Sequence, residues 1–111
     1  MTDENRKYIQ ELCLILKETA AQERAKRVQE HPHEQQYINA IAKEIKDELH
    51  WPVEVSDLII EVGPNKRVVV ELTPTHFLIT DRNDLNSGAC YIAKTEFLFE
   101  HIFYNIEKAL R

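Results

Sequence analysis

The chain has 111 residues, the size of one compact unit, and its 43% hydrophobic and 30% charged content is that of a folded globular protein rather than a disordered one. Only two glycines occur, Gly63 and Gly88, so neither a G-x-G-x-x-G nor a G-x-x-x-x-G-K-[ST] phosphate loop can be written. The formal charge of -5, from 14 basic and 19 acidic residues, disfavours a general affinity for nucleic-acid backbones and leaves room only for a local basic patch.

From Glu4 to Glu30 there is neither Pro nor Gly and good helix formers dominate, which predicts one long helix or two collinear pieces. Ile9, Leu12, Cys13, Leu14, Ile15 and Leu16 occupy more than one face, so the first half is expected to be buried nearly all round. The second half, Gln22 to Glu30, offers only Ala25 and Val28 among charges and is expected to project into solvent or meet a partner. His31-Pro32-His33 interrupts the helix, and Pro32 suits the first turn of a second one. There Ile38, Ile41, Ala42, Ile45 and Leu49 form a single stripe for a core, with Lys43, Glu44, Lys46, Asp47 and Glu48 opposite; Pro52 stops the helix near His50-Trp51.

Beyond Pro52 the period changes from 3.6 to 2. Leu58, Ile60 and Val62 alternate with Asp57, Ile59 and Glu61, and Val68, Val70 and Leu72 alternate with Arg67, Val69 and Glu71, which predicts a hairpin. A two-residue loop would pair Glu61 with Val68 and put charge on the apolar face, so an odd loop around Pro64-Asn65-Lys66 is required. Leu58 then faces Leu72, Ile60 faces Val70 and Val62 faces Val68. Pro74 favours a four-residue turn from Thr73 to His76, after which Phe77 and Ile79 rejoin the core face. Asp81 to Gly88 reads as a polar loop and Ala89 to Ala93 as a short fourth strand. Thr95 can cap a last helix, whose Phe97, Leu98, Phe99, Ile102, Phe103, Tyr104, Ile106, Ala109 and Leu110 span an unusually wide apolar arc.

These elements predict an α+β fold in one domain, 1–111: a helical part (1–52), an antiparallel meander of three to four strands (53–93) and a packed C-terminal helix (94–111). No internal repeat is visible.

Each candidate chemistry stands beside a plainer account. His31 and His33 could reach one metal ion but lack a third ligand at a set spacing, so a solvated turn is the better reading. Asp81 to Gly88 places Leu85 and Asn86 where a calcium loop needs a ligand and a Gly. Asp57, Glu61 and Glu71 suggest a metal-dependent nuclease, yet Gly63 and Thr73 stand where the assisting Lys would follow Glu61 and Glu71. Ser56 and Ser87, the only serines, lie in no nucleophile elbow, and Cys90, with His76 or His101 as a base, is better read as a buried thiol. Cys13 and Cys90 are too few and too distant for a disulfide framework and are both expected to be buried and reduced. No catalytic residue, metal site or cofactor is therefore assigned.

What remains is surface. The outer sheet face would carry Ile59, Glu61, Val69, Glu71, Leu78 and Thr80, half apolar and half charged, and the last helix adds Phe99 and Phe103; contiguous apolar surface of this kind marks an interaction site. The expectation is a small, acidic, non-catalytic protein-interaction module of the inhibitor, immunity-factor, chaperone or adaptor type, bound to a protein partner or to itself as a homodimer. One alternative is a regulator of nucleic-acid transactions using Arg24, Lys26, Arg27, Lys66 and Arg67, although Glu23 and Glu30 bracket the first three; another is a small enzyme built on Cys90 or the strand acids. The mixed charge of Met1 to Lys7 and the short apolar run Leu12 to Leu16 predict neither signal peptide nor membrane span, hence a cytoplasmic location.

Overall fold

A computed structural model describes residues 2–84, 90–94 and 99–110. Helices α1 (Asp3–Glu30) and α2 (Pro32–Leu49) precede five strands, β1 (Val53–Ser56), β2 (Ile59–Val62), β3 (Val68–Leu72), β4 (His76–Asp81) and β5 (Cys90–Ala93), and helix α3 (Phe99–Leu110) closes the order. The strands form one antiparallel meander, each paired with its neighbours in sequence. The fold is α+β as expected, with five strands in place of three or four.

Helix α1 runs unbroken for 28 residues. Its start is well made: the Thr2 hydroxyl accepts the Asn5 N–H at 3.2 Å, and Asp3 and Glu4 sit at the positive end of the helix dipole. The expected exposure of its two halves is reversed. Residues 3–19 are all exposed, Leu16 at 67% and Leu14 at 61%, whereas Arg24, Ala25, Arg27 and Val28 are partly buried. The cause lies in angle rather than in count. At about 100° per residue, Ile15, Tyr8, Leu12, Leu16, Ile9 and Cys13 fall within an arc of about 160°, and Leu14 alone points away. They form a stripe that is exposed and outside the core cluster. The second half holds the body instead, through arginines long enough to pair across the gap.

Helix α2 supplies the centre of the core. Ile38, Ile41, Ala42 and Ile45 are buried, Leu49 packs at the margin, and the charged face is exposed as its spacing requires. His50 ends the helix in the left-handed conformation (φ 59°), one residue before Trp51-Pro52.

The first strand pair is one the alternation did not show. β1 and β2 are joined by the two-residue turn Asp57-Leu58, with Ser56 opposite Ile59 and Val53 opposite Val62. Asp57 therefore lies in a turn, not on a strand. Leu58 takes a positive φ of 57° while fully buried, an uncommon state for a branched side chain. Gln35 of α2 secures it, accepting the Leu58 N–H at 2.8 Å and donating to the Ser56 carbonyl at 3.3 Å.

The next hairpin follows the expected register. Ile60 pairs with Val70 and Val62 with Val68 across Gly63 to Arg67, and the Leu72 N–H donates to the Leu58 carbonyl at 2.9 Å. The Thr73 to His76 turn is closed by Thr73, whose N–H and hydroxyl both donate to the His76 carbonyl, at 2.8 and 2.9 Å. Phe77, Ile79 and Ile92 then complete a buried face with Leu58, Ile60, Val62, Val68, Val70 and Leu72. Helices α2 and α3 pack on that face, and α1 packs on α2.

Within α3, Ile102 and Ile106 are buried and Phe103, Ala109 and Leu110 flank them, while Tyr104 is exposed, so the core uses an ordinary stripe of the wide arc. The expected cap Thr95, Phe97 and Leu98, together with Leu85 to Ala89 of the polar loop, lie outside the described residues.

Gly63 locks the end of α3 to the sheet. Its backbone lies at φ 90° and ψ -177°, a region open to little but glycine, and a Cβ there would come within 2.9 Å of the Leu110 methyl groups. Gly63→Ala is expected to destabilise the fold by about 1–3 kcal/mol, read as a lower urea midpoint at unchanged slope.

Candidate functional site

The charged residues are the first place to look for chemistry, and those singled out by the sequence are already engaged. Arg24 reaches from α1 to Glu71 of β3 at 3.3 Å. Arg27 donates to the Leu72 carbonyl at 3.0 Å and pairs with Glu34 of α2 at 2.7 Å; Lys94, after β5, meets the other oxygen of Glu34 at 3.1 Å. Lys26 pairs loosely with Glu30 one turn on, Lys66 with Glu54 at 2.9 Å, and Arg67 with Asp81 through two contacts. The five basic residues of the nucleic-acid alternative are thus each opposed by a carboxylate. They also lie apart: Arg24 and Arg27 meet the C-terminal end of β3, and Lys66 and Arg67 precede its N-terminal end. They do not form one basic surface.

The strand acids are similarly taken. Glu61 holds Arg82 at 3.0 Å and Glu71 holds Arg24, so each carboxylate faces a cation. His31 and His33 come together at the α1–α2 junction, ring centroids 5.9 Å apart and edge to face. Among the described residues no group of three or more His, Cys, Asp or Glu is placed to hold a metal ion. Both cysteines are free; Cys90 packs beside the core, but Cys13 is exposed rather than buried, on the edge of the α1 stripe.

Of the proposed partner-binding residues, Ile59, Glu61, Val69, Glu71 and Leu78 do share the outer sheet face. Pairing sets them in two rows, Ile59-Glu71-Leu78-Tyr91 and Glu61-Val69-Thr80. All but the exposed Tyr91 are partly buried. Phe99 and Phe103 are not part of that patch, because α3 covers the opposite face; their ring centroids lie 5.9 Å apart with the planes tilted by 35°.

Among the described residues, most of the exposed large apolar side chains are elsewhere, on the α1 arm: Tyr8, Ile9, Leu12, Ile15 and Leu16, with Cys13 at the edge and Leu14 pointing away. Sequence reasoning passed over it by treating adjacent apolar residues as an all-round core segment. A helical projection of residues 8–16 carries the signal, since every apolar residue but Leu14 falls on one side. Among the described residues no helix is long and apolar enough to cross a membrane. No family model matches the chain, and no curated protein or solved structure matches it either.

Glu34 decides how the arm is held. Burial alone would raise its carboxyl pKa, but hydrogen bonds and charge from Lys94 and Arg27 outweigh burial and hold it below the ordinary 4.5. A depressed carboxyl stabilises the fold above the unfolded value, and that contribution is lost as pH falls through the lower folded value. Glu34→Gln should therefore cost about 1–3 kcal/mol near neutrality. The gap between wild type and variant should close as the pH of urea titrations is lowered below 4.5.

Proposed function

We propose that this chain is a non-catalytic protein-interaction module whose contact element is the N-terminal half of α1. The observation that carries this reading is the uncovered apolar stripe of residues 8–16 on a capped helix that stands clear of the body. Isolated helices of this length are marginal in water, and most helical stability in proteins comes from packing an amphipathic face. Burying a leucine or isoleucine side chain is worth about 1.5–3 kcal/mol, so covering Ile9, Leu12, Ile15 and Leu16 offers a substantial driving force. The outer sheet face, half apolar and with its carboxylates neutralised, is a secondary surface of the same kind.

The nucleic-acid alternative draws less support, because its five cations are paired within the chain and divided between two ends of the sheet. An enzymatic reading lacks an assembled set of groups among the described residues.

The double variant Leu12→Asp, Leu16→Asp tests the reading. The stripe is exposed and lies outside the core cluster, so each change should alter the urea stability of the sheet and its helices by less than about 0.5 kcal/mol. Association, whether with another protein in cross-linking and affinity purification or with a second copy, should be lost. An interaction profile identical to that of the wild type would overturn the assignment to α1.

A further inference from the structure

We infer that the occupant of the α1 stripe is the same stripe of a second copy of this chain, with the two arms running parallel. The inference rests on the interaction reading above and names its partner.

The first argument is positional. In a seven-residue frame in which Ile9 and Leu16 are a positions, Asn5, Leu12 and Thr19 are d positions, so a seam runs from Asn5 to Thr19. The next seam positions, Glu23 and Lys26, are charged, and the seam ends where the body begins. Arg24, Arg27 and Val28, which hold the body, fall at b, e and f, off the seam. A two-fold axis along the seam relates the two bodies by a half-turn about the helical pair.

The second argument is orientation by size. Tyr8 and Ile15 flank the seam on one side at g positions, and Cys13 and Ala20 flank it on the other at e positions. In a parallel pair each g residue meets the e residue five positions further on in the partner. Tyr8 then lies against Cys13 and Ile15 against Ala20, large on small in both cases. An antiparallel pair in the register that opposes Tyr8 and Ile15 sets large against large.

Charge gives the third argument. Glu4, Glu11 and Glu18 recur every seven residues along the edge beside Tyr8 and Ile15, and Arg6 and Lys17 lie along the opposite edge, with Asp3 at the helix start as the exception. Parallel arms bring the acidic edge of one copy to the basic edge of the other; antiparallel arms oppose acid with acid. All these charged side chains are exposed, none has an ion-pair partner described in the monomer, and size and charge favour the same orientation.

Sedimentation equilibrium of the full chain reads the outcome. The expected result is a mass of two chains of 13.1 kDa each. Leu12→Asp with Leu16→Asp should give a monomer with an unaltered body, and Leu14→Asp, on the far side of the arm, should leave the pair intact. In a Cys13→Ser parent that does not itself cross-link, Ile9→Cys alone and Leu16→Cys alone should each form a disulfide-linked dimer under mild oxidation. A monomeric wild type across micromolar to millimolar concentrations, a mass above two chains, or a dimer that survives both aspartates would overturn the inference. So would Ile9→Cys and Leu16→Cys linking only when mixed, which is the antiparallel result. If the wild type is monomeric yet loses a captured partner on Leu12→Asp, Leu16→Asp, only the second-copy inference falls. If it is monomeric and that variant changes nothing, the interaction reading falls too.

Discussion

Glu34 sits where three parts of the chain meet, and its two oxygens are shared between Arg27 of α1 and Lys94 beyond β5. Arg27 continues the link to the Leu72 carbonyl at the end of β3. Three segments far apart in sequence are thereby fixed at one carboxylate that is largely withdrawn from water, where a hydrogen bond to a charged group is worth more than on an open surface. Removing any member would leave the others charged and partly buried, which is the costly case. Arg24 and Glu71 add a second tie one helical turn away. The direction of α1 follows from these contacts: held at its C-terminal third, the helix can only carry its first half outward.

This also explains why the two halves of α1 read backwards. Charge on Arg24 and Arg27 suggests solvent when counted residue by residue, yet an arginine spans several ångströms and its guanidinium suits a carboxylate or a carbonyl. The partners, Glu71, Glu34 and Leu72, lie on other elements and cannot be found from the spacing of α1. The apolar run misled in the opposite sense. Five consecutive residues, Leu12 to Leu16, necessarily touch every side of a helix, and only their angular distribution separates a stripe from a core segment.

The sheet was legible where side-chain chemistry determines it. Keeping Glu61 off the apolar face was enough to fix the loop parity and the pairing of Ile60 with Val70. It failed where the determinant is tertiary. β1 escaped because Asp57-Leu58 carries no glycine or asparagine at the position that needs a positive φ; the strained leucine is tolerated because its side chain is fully buried and Gln35, from another element, takes its N–H. The candidate site divides in the same way. The outer-face residues were identifiable by alternation, whereas Phe99 and Phe103 were assigned to the same site although the other side of the sheet claims them.

The acids of the outer sheet face are paired with cations, and among the described residues most of the exposed large apolar side chains lie on the arm. The anchoring bears on how that arm can act. A free helix of residues 3–19 would have to nucleate, fixing several dihedrals for one hydrogen bond, and would be marginal in water. Here the turns at Arg24 and Arg27 are already formed and held by the body, so the arm extends from an existing helix and needs only propagation, which is nearly neutral per residue. Thr2 and the acids beside it oppose fraying at the far end. A stripe presented on such a helix would meet the proposed partner largely ordered, the entropy that a disordered segment loses on docking having been lost beforehand, in folding the body. The contacts around Glu34 thus do more than hold the fold together: they set the conformation, and with it the readiness, of the surface assigned to binding.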